Sequence, residues 1–317
     1  MVRIFLRNTL LLFLLFVDST EAYAWGRRGH SIVCQTAAYL TAEHAKAGFL
    51  KSHSFDLGYY CNVPDLVWKK EGLYQKEWFH HFMDMEIFER AFKDSEIKDP
   101  FKLTREEFNA KFPNVKNDAG RGYWRVREVL DRLSKITEEL KKKKLSVAKR
   151  HELQAEWLLH AGAIGHYIGD LAQPLHVTEN YDGQLTKQKG LHSWFEDRLV
   201  DELFLSGGKN LETEVMMAAE EKWKKEDKRL SKLSTLELLE DLTKKSHDSL
   251  KTVLELDKKN GRKDAKKAAE AFHAILVDRM SDGAVYLAAL WKTQLGWEFN
   301  GKKFYKFLST PDLIPAP

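Results

Sequence analysis

Two cysteines in 317 residues cannot build a disulfide framework, and without a C-x-x-C spacing they form neither a zinc ribbon nor a redox pair. No run approaches the ~20 apolar residues that a membrane-spanning helix needs. An excess of one charge is missing too: 51 Lys and Arg against 47 Asp and Glu leave a formal +4, too mild for a protein that coats DNA and too balanced for an acidic tail. The chain also has no Gly/Ser-rich linker, no repeat with a period of about 20 to 50 residues, no Walker-type phosphate loop and no Ser or Cys nucleophile motif. Any metal here must be held mainly by His and carboxylates.

What is present suffices for a full core, with 43% of residues hydrophobic and 31% charged, arranged as one domain over 25–317. The first 24 residues stand apart. Arg3 and Arg7, the apolar run Leu10 to Val17 and the small-x-small sequence Ala22-Tyr23-Ala24 read as a signal peptide. Cleavage leaves Trp25 first and a secreted or periplasmic product with no transmembrane anchor. That compartment permits a Cys34–Cys61 bridge, although two buried thiols fit the sequence equally well.

Beyond Gly29, apolar residues recur at three- and four-residue steps and strand-like alternation is scarce, so the fold class is all-α, a single-domain multi-helix bundle. The main helices are expected over Ser31–Ala47, Val126–Lys144, Val147–Gln173, Gly190–Leu205, Leu211–Lys228, Leu236–Leu256 and Asp264–Leu295. Pro64, Pro100, Pro113 and Pro174 lie at breaks between segments. The lysine-rich stretches at 141–144, 222–229 and 258–267 read as solvated helix ends, not as nucleic-acid contacts.

The strongest chemical signal is Gly165-His166-Tyr167-Ile168-Gly169-Asp170, followed by Pro174-Leu175-His176. His166 and Asp170 are four apart, which on a helix turns imidazole and carboxylate to one face, and both are suitable zinc ligands. His192 and Glu196 repeat that spacing inside another apolar stretch. Asp65 followed by His80 and His81, and Trp25-Gly-Arg-Arg-Gly-His30 at the processed terminus, offer two further groups. Isolated histidines such as His44, His53, His151, His160, His247 and His273 read as surface or satisfied core residues. The conjunction of four groups points to a multi-metal site.

This pattern resembles the superfamily of zinc-dependent S1/P1 nucleases and bacterial zinc-dependent phospholipases C, with motifs spread over 25–200. The resemblance implies a helical phosphodiesterase built around three zinc ions. Matched residue by residue, the Trp25 amine and carbonyl with His30 would bind one ion, Asp65, His81 and His166 a second, and Asp170 would bridge two. His176, His192 and Glu196 would serve the remaining positions. His81 is preferred to His80 because the family reads His-aromatic-x-Asp/Asn, which His81-Phe82-Met83-Asp84 matches. Trp-Gly-x-x-Gly-His is the nuclease-like opening, whereas Glu196 in place of Asp and the short segment from His176 to His192, without a Gly-Gly-Asn run, look like the phospholipase C branch. Asn180-Tyr181-Asp182-Gly183 stands partly in for that run.

Such a cluster polarises a phosphodiester, lowers the pKa of a bound water towards ~7 and stabilises the departing alkoxide. Asp65 and Asp170 are then the catalytic carboxylates that orient a metal-bridging hydroxide, and Asp84, Asn180 and Lys69 are expected to touch substrate. The favoured substrate is single-stranded DNA or RNA, with 3′-nucleotides as a further class and phospholipid as the alternative. Phe82, Trp68, Tyr181 and Trp194 are candidate stacking platforms, and Arg27, Arg28, Lys69 and Lys70 candidate phosphate contacts. A non-catalytic zinc module would have lost a ligand, and none is lost. No stable protein partner is implied.

Overall fold

The computed structural model describes residues 25–42, 47–69, 74–205 and 210–297. Residues 1–24, where a signal peptide is expected, and Lys70 lie outside them. Among the described residues the regular elements are all helical, apart from one isolated bridge between Met83 and Gly120. In chain order they are α1 (Gly26–Thr41), α2 (Gly48–Ser52), α3 (Ser54–Tyr60), α4 (Tyr74–Glu77), α5 (Met85–Phe92), α6 (Arg105–Lys111), α7 (Gly122–Lys141) and α8 (Val147–Ala172). Then follow α9 (Leu191–Ser193), α10 (Leu199–Leu205), α11 (Leu211–Leu230), α12 (Thr235–Asn260) and α13 (Ala265–Lys292), with short 3-10 and π turns between.

Helix α8 runs through the middle. Ser146 caps it, its side chain accepting from the Lys149 amide, and it stops at Ala172 because Pro174 lacks a donor and bends the next residues into a 3-10 turn that carries His176. From Trp157 to Ala172 every side chain is buried, so apolar residues are needed all round. It packs on α7, α13, α3, α12 and α1. The other fully enclosed stretch, 279–291 of α13, meets α1, α8, α10, α11 and α12. Cys34 and Cys61 are both free and buried in this core.

The periodicity located the long helices, and their ends differ in instructive ways. α1 begins at Gly26 instead of Ser31: Gly26 and Gly29 of its first turn are buried, the first against Glu196 and Asp197 and the second against Met280 of α13. The short helices α2, α3, α5 and α6 carry too few turns for periodicity to reveal. The expected helix Gly190–Leu205 is interrupted: the Leu199 amide bonds to the Trp194 carbonyl five residues back, a π turn over Trp194–Arg198. A second π turn, Pro64–Trp68, closes with Lys69 N to Pro64 O at 3.0 Å. Each swells the helix by one residue, and they carry Glu196 and Asp65.

Candidate metal centre

Three groups of buried side chains converge where α1, α8 and the two π turns meet. His30, His166 and Asp170 form one; Asp65, His81 and His166 a second; His176, His192 and Glu196 a third. Within each, donor atoms lie within 4.8 Å of one another. The close approach needs Gly169: a Cβ there would stand 2.8 Å from His30 Nδ1, so only glycine lets α1 bring its histidine against α8.

Asp170 lies between two groups. Its Oδ1 is 3.4 Å from His30 Nε2, while its Oδ2 is 3.0 Å from His81 Nδ1 and 3.4 Å from His166 Nε2. His81 Nδ1 and His166 Nε2 face each other at 2.9 Å, each under 4 Å from Asp65 Oδ1. In the third group, His192 Nε2 is 2.9 Å from His176 Nε2 and 2.8 Å from Glu196 Oε2. Gln173 Nε2 donates to the same Glu196 oxygen at 3.3 Å, and His176 Nδ1 meets the His81 carbonyl at 2.7 Å, which leaves its Nε2 toward the cluster. Trp25 caps the first group from the side. It is fully buried, and its indole N–H donates to the Gly169 carbonyl at 2.6 Å.

The profile of one protein family, S1/P1 nuclease, matches residues 25–295, and so begins at Trp25 and takes in every group above. The chain belongs to the S1/P1 nuclease family. No similarity to a curated protein sequence is found. Among solved structures the chain is similar to a crystal structure of Clostridium perfringens alpha-toxin from an avian strain, at 13% identity and a TM-score of 0.44 over 84% of this chain. The chain spans 63% of the length of that toxin chain.

The electrostatics of this S1/P1 centre suit divalent cations. Burial, the largest influence, pushes His81, His166 and His176 well below the usual imidazole range and His192 to about 4, so the rings are neutral, the form that binds metal. Burial also drives Asp170 and Glu196 well above the carboxylate range, reinforced by Asp65 for Asp170 and by Asp197 and Asp65 for Glu196. Only cations placed among them let so many buried carboxylates ionise together. Asp170 Oδ1, Glu196 Oε1 and His81 Nε2 are buried without hydrogen-bond partners, and the N/O donor set is the kind zinc takes. Lys69 supplies one positive charge, with Nζ 2.6 Å from Asp65 Oδ1.

Beside the centre opens a cleft of about 900 Å³, lined by His81, His176 and His192 as well as Lys69, Asp84 and Lys189. Trp78 and Phe82, with ring centroids 5.7 Å apart, and the exposed Tyr181 also line it. Burial, then Glu86, Glu179 and Asp118, lifts Asp84 to about 8.

Several expected contacts lie elsewhere. Asn180 is occupied in its own turn, accepting from the Leu185 amide and donating to Thr186 Oγ1. Trp68 and Trp194 are core residues, the first beneath the Arg125 guanidinium and the second against Phe272. Arg27 and Arg28 border a separate hollow near Asp197 and Asp201, and Arg28 pairs with Asp201. Sequence reasoning missed Trp78 and Lys189, which carry no local spacing signal. Asp182, read from the sequence only as part of the Asn180–Gly183 run, has a carboxylate that accepts from the Gly190 and His192 amides and so starts the turn that presents His192.

Proposed function

We propose that this protein is an exported S1/P1-type nuclease that hydrolyses single-stranded DNA and RNA, and 3′-nucleotides, with three zinc ions. Trp25 (amine and carbonyl), His30 and Asp170 would hold one ion. Asp65, His81, His166 and Asp170 would hold the second, and His176, His192 and Glu196 the third. When bound, zinc supplies Lewis acidity toward phosphate oxygens and toward the attacking water. The chain's own residues do the rest. Asp65 and Asp170 orient the nucleophile and accept its proton, and Lys69 Nζ, at the cleft edge of the centre, binds a non-bridging phosphate oxygen. Removal of residues 1–24 as a signal peptide frees the Trp25 amine.

The observation that carries the nucleic-acid reading is the wall of the cleft. Trp78 and Phe82 stand as an aromatic pair beside the centre, with Asp84 at their foot. A flat base can stack on the first two and hydrogen-bond to the third, which requires an unpaired strand. A lipid-directed cleft would not need a buried carboxyl there.

The test is a parallel assay of the zinc-loaded mature protein on single-stranded DNA, single-stranded RNA and phosphatidylcholine. Nucleic acid should be cleaved. If Lys69 and Lys189 each contact one phosphate, KM should rise with salt with a log–log slope of about 1.4, at ~0.7 per contact. Phosphatidylcholine hydrolysis without nucleic-acid cleavage would assign the site to phospholipids instead.

A further inference from the structure

Behind the Asp65–His81–His166 group lies a buried charged network that the reaction does not use directly. Glu77, the last residue of α4, is only 3% exposed. Arg125 of α7 donates from Nη2 to Glu77 Oε2 at 2.7 Å and from Nε to the Tyr167 hydroxyl at 3.0 Å; that hydroxyl in turn donates to Glu77 Oε1. The three side chains form a closed ring. The Arg125 guanidinium also lies over Trp68, the last residue of the π turn that carries Asp65. Tyr167 adjoins His166 and its ring is 5.4 Å from the His81 ring. One scaffold therefore touches the backbone segments that supply all three donors.

His81 is where the scaffold meets the centre. Its Nδ1 faces Asp65, His166 and Asp170, and its opposite nitrogen, Nε2, is buried without a hydrogen-bond partner. The carboxylate facing that nitrogen is Glu77, with Oε1 3.8 Å away. A movement of about 1 Å makes this a hydrogen bond. A histidine that binds a cation through one nitrogen donates the proton on the other, usually to a carboxylate, which sets the tautomer and raises ligand basicity.

We propose that Glu77 is the positioning residue for His81: locked by Arg125 and Tyr167, it accepts the Nε2–H and presents Nδ1 to the ion shared with Asp65 and His166. This rests on the zinc reading above. Glu77 touches neither substrate nor reacting atoms and acts through the imidazole. His80, the neighbouring histidine, takes no part in the centre. Its Nδ1 is 3.4 Å from Glu77 Oε2 and its Nε2 meets Arg105, so it lies on the outer side of the same carboxylate.

Two variants are made together, Glu77→Gln and the double change Glu77→Met/Arg125→Met, which removes both charges of the buried pair in case the first fails to fold. Circular dichroism and thermal melting establish folding. Zinc content and affinity are then read by chelator competition, and Co²⁺ loading reports each site through its visible absorption. In whichever variant is folded, one ion should bind about 10- to 100-fold more weakly while the others keep wild-type affinity. Its Co²⁺ bands should shift, and Glu77→Asp should restore part of both effects. A folded variant with wild-type affinity for every ion and an unchanged Co²⁺ spectrum would overturn the role of Glu77. Wild-type protein that takes up no zinc would instead overturn the zinc reading.

Discussion

A single carboxylate illustrates how burial is turned to use at the scale of the residue. Asp170 has no exposure, and each of its oxygens faces a different group of donors. Asp84, three residues beyond His81, instead lines the cleft. Asp170→Ala should therefore lose part of the bound zinc and lower kcat/KM by on the order of 10²-fold or more. Asp84→Ala should keep its full metal content and lose only about 10- to 100-fold, the worth of a buried hydrogen bond to substrate. Metal analysis beside kinetics separates the two. Three retained zincs and near-normal turnover in Asp170→Ala would dismiss the bridging assignment.

Helix ends and the turns between them set the geometry at the scale of the element. The segment from Val177 to Gly190 is fastened to α5 through Glu86, which accepts from Thr178 Oγ1 at 2.7 Å and the Glu179 amide at 3.0 Å, and meets His247 Nε2 of α12 at 2.9 Å. Burial pushes Glu86 up, but hydrogen bonds from His247, Thr178 and Glu179 prevail and hold it at about 2; the hydrogen bond to Glu86 raises His247. Because His247 titrates higher folded than unfolded, its contribution is complete below about 6.5 and fades as pH rises through the folded value; that of Glu86 is complete above about 4.5 and is lost as pH falls towards 2. His247→Gln should thus cost about 1 kcal/mol at pH 5.5 and much less at pH 9, measured by urea unfolding at both. An equal cost at the two values would show that the ion pair contributes nothing.

The first turn of α1 makes a second prediction at this scale. Trp25 has φ 52°, a left-handed conformation costly for a bulky residue with a chain before it, and no such dihedral exists once Trp25 is the first residue. An amide is also a far poorer ligand than a free amine. A chain beginning Met-Trp25 with the Met retained should keep its helical fold yet bind one zinc fewer and lose most of its activity. Equal zinc content and turnover in that chain and in one beginning at Trp25, each verified by mass spectrometry, would remove the terminus from the centre.

The centre and the core are one structure at the scale of the whole molecule. Donors come from α1, α8, both π turns, the segment after α4, the 3-10 turn after α8 and α9, so ions bound there would tie together parts of the chain up to 166 residues apart, from His30 to Glu196. Each ion present at 1,000 times its Kd adds about 4 kcal/mol to the native state. Chelation should lower Tm by on the order of 10 °C and abolish hydrolysis together. A zinc-free protein with unchanged Tm would show that the ions serve chemistry alone.

Periodicity and local spacing determined the long helices, the all-α class and the pair His166/Asp170, because a helix places residues four apart on one face whatever surrounds it; the same spacing pointed to His192/Glu196, which meet across the junction of α9 with a π turn. The tertiary structure decided the rest. It turned His81 inward and His80 outward through Glu77 and Arg105, took Asn180, Trp68 and Trp194 away from the cleft, and brought Trp78 and Lys189 to it. Nothing in the spacing of Glu77, Arg125 and Tyr167 marks them as partners: they are 48 and 42 residues apart in sequence. What joins them is burial, since a charge removed from water must find its counter-charge among whatever side chains the packing brings within reach.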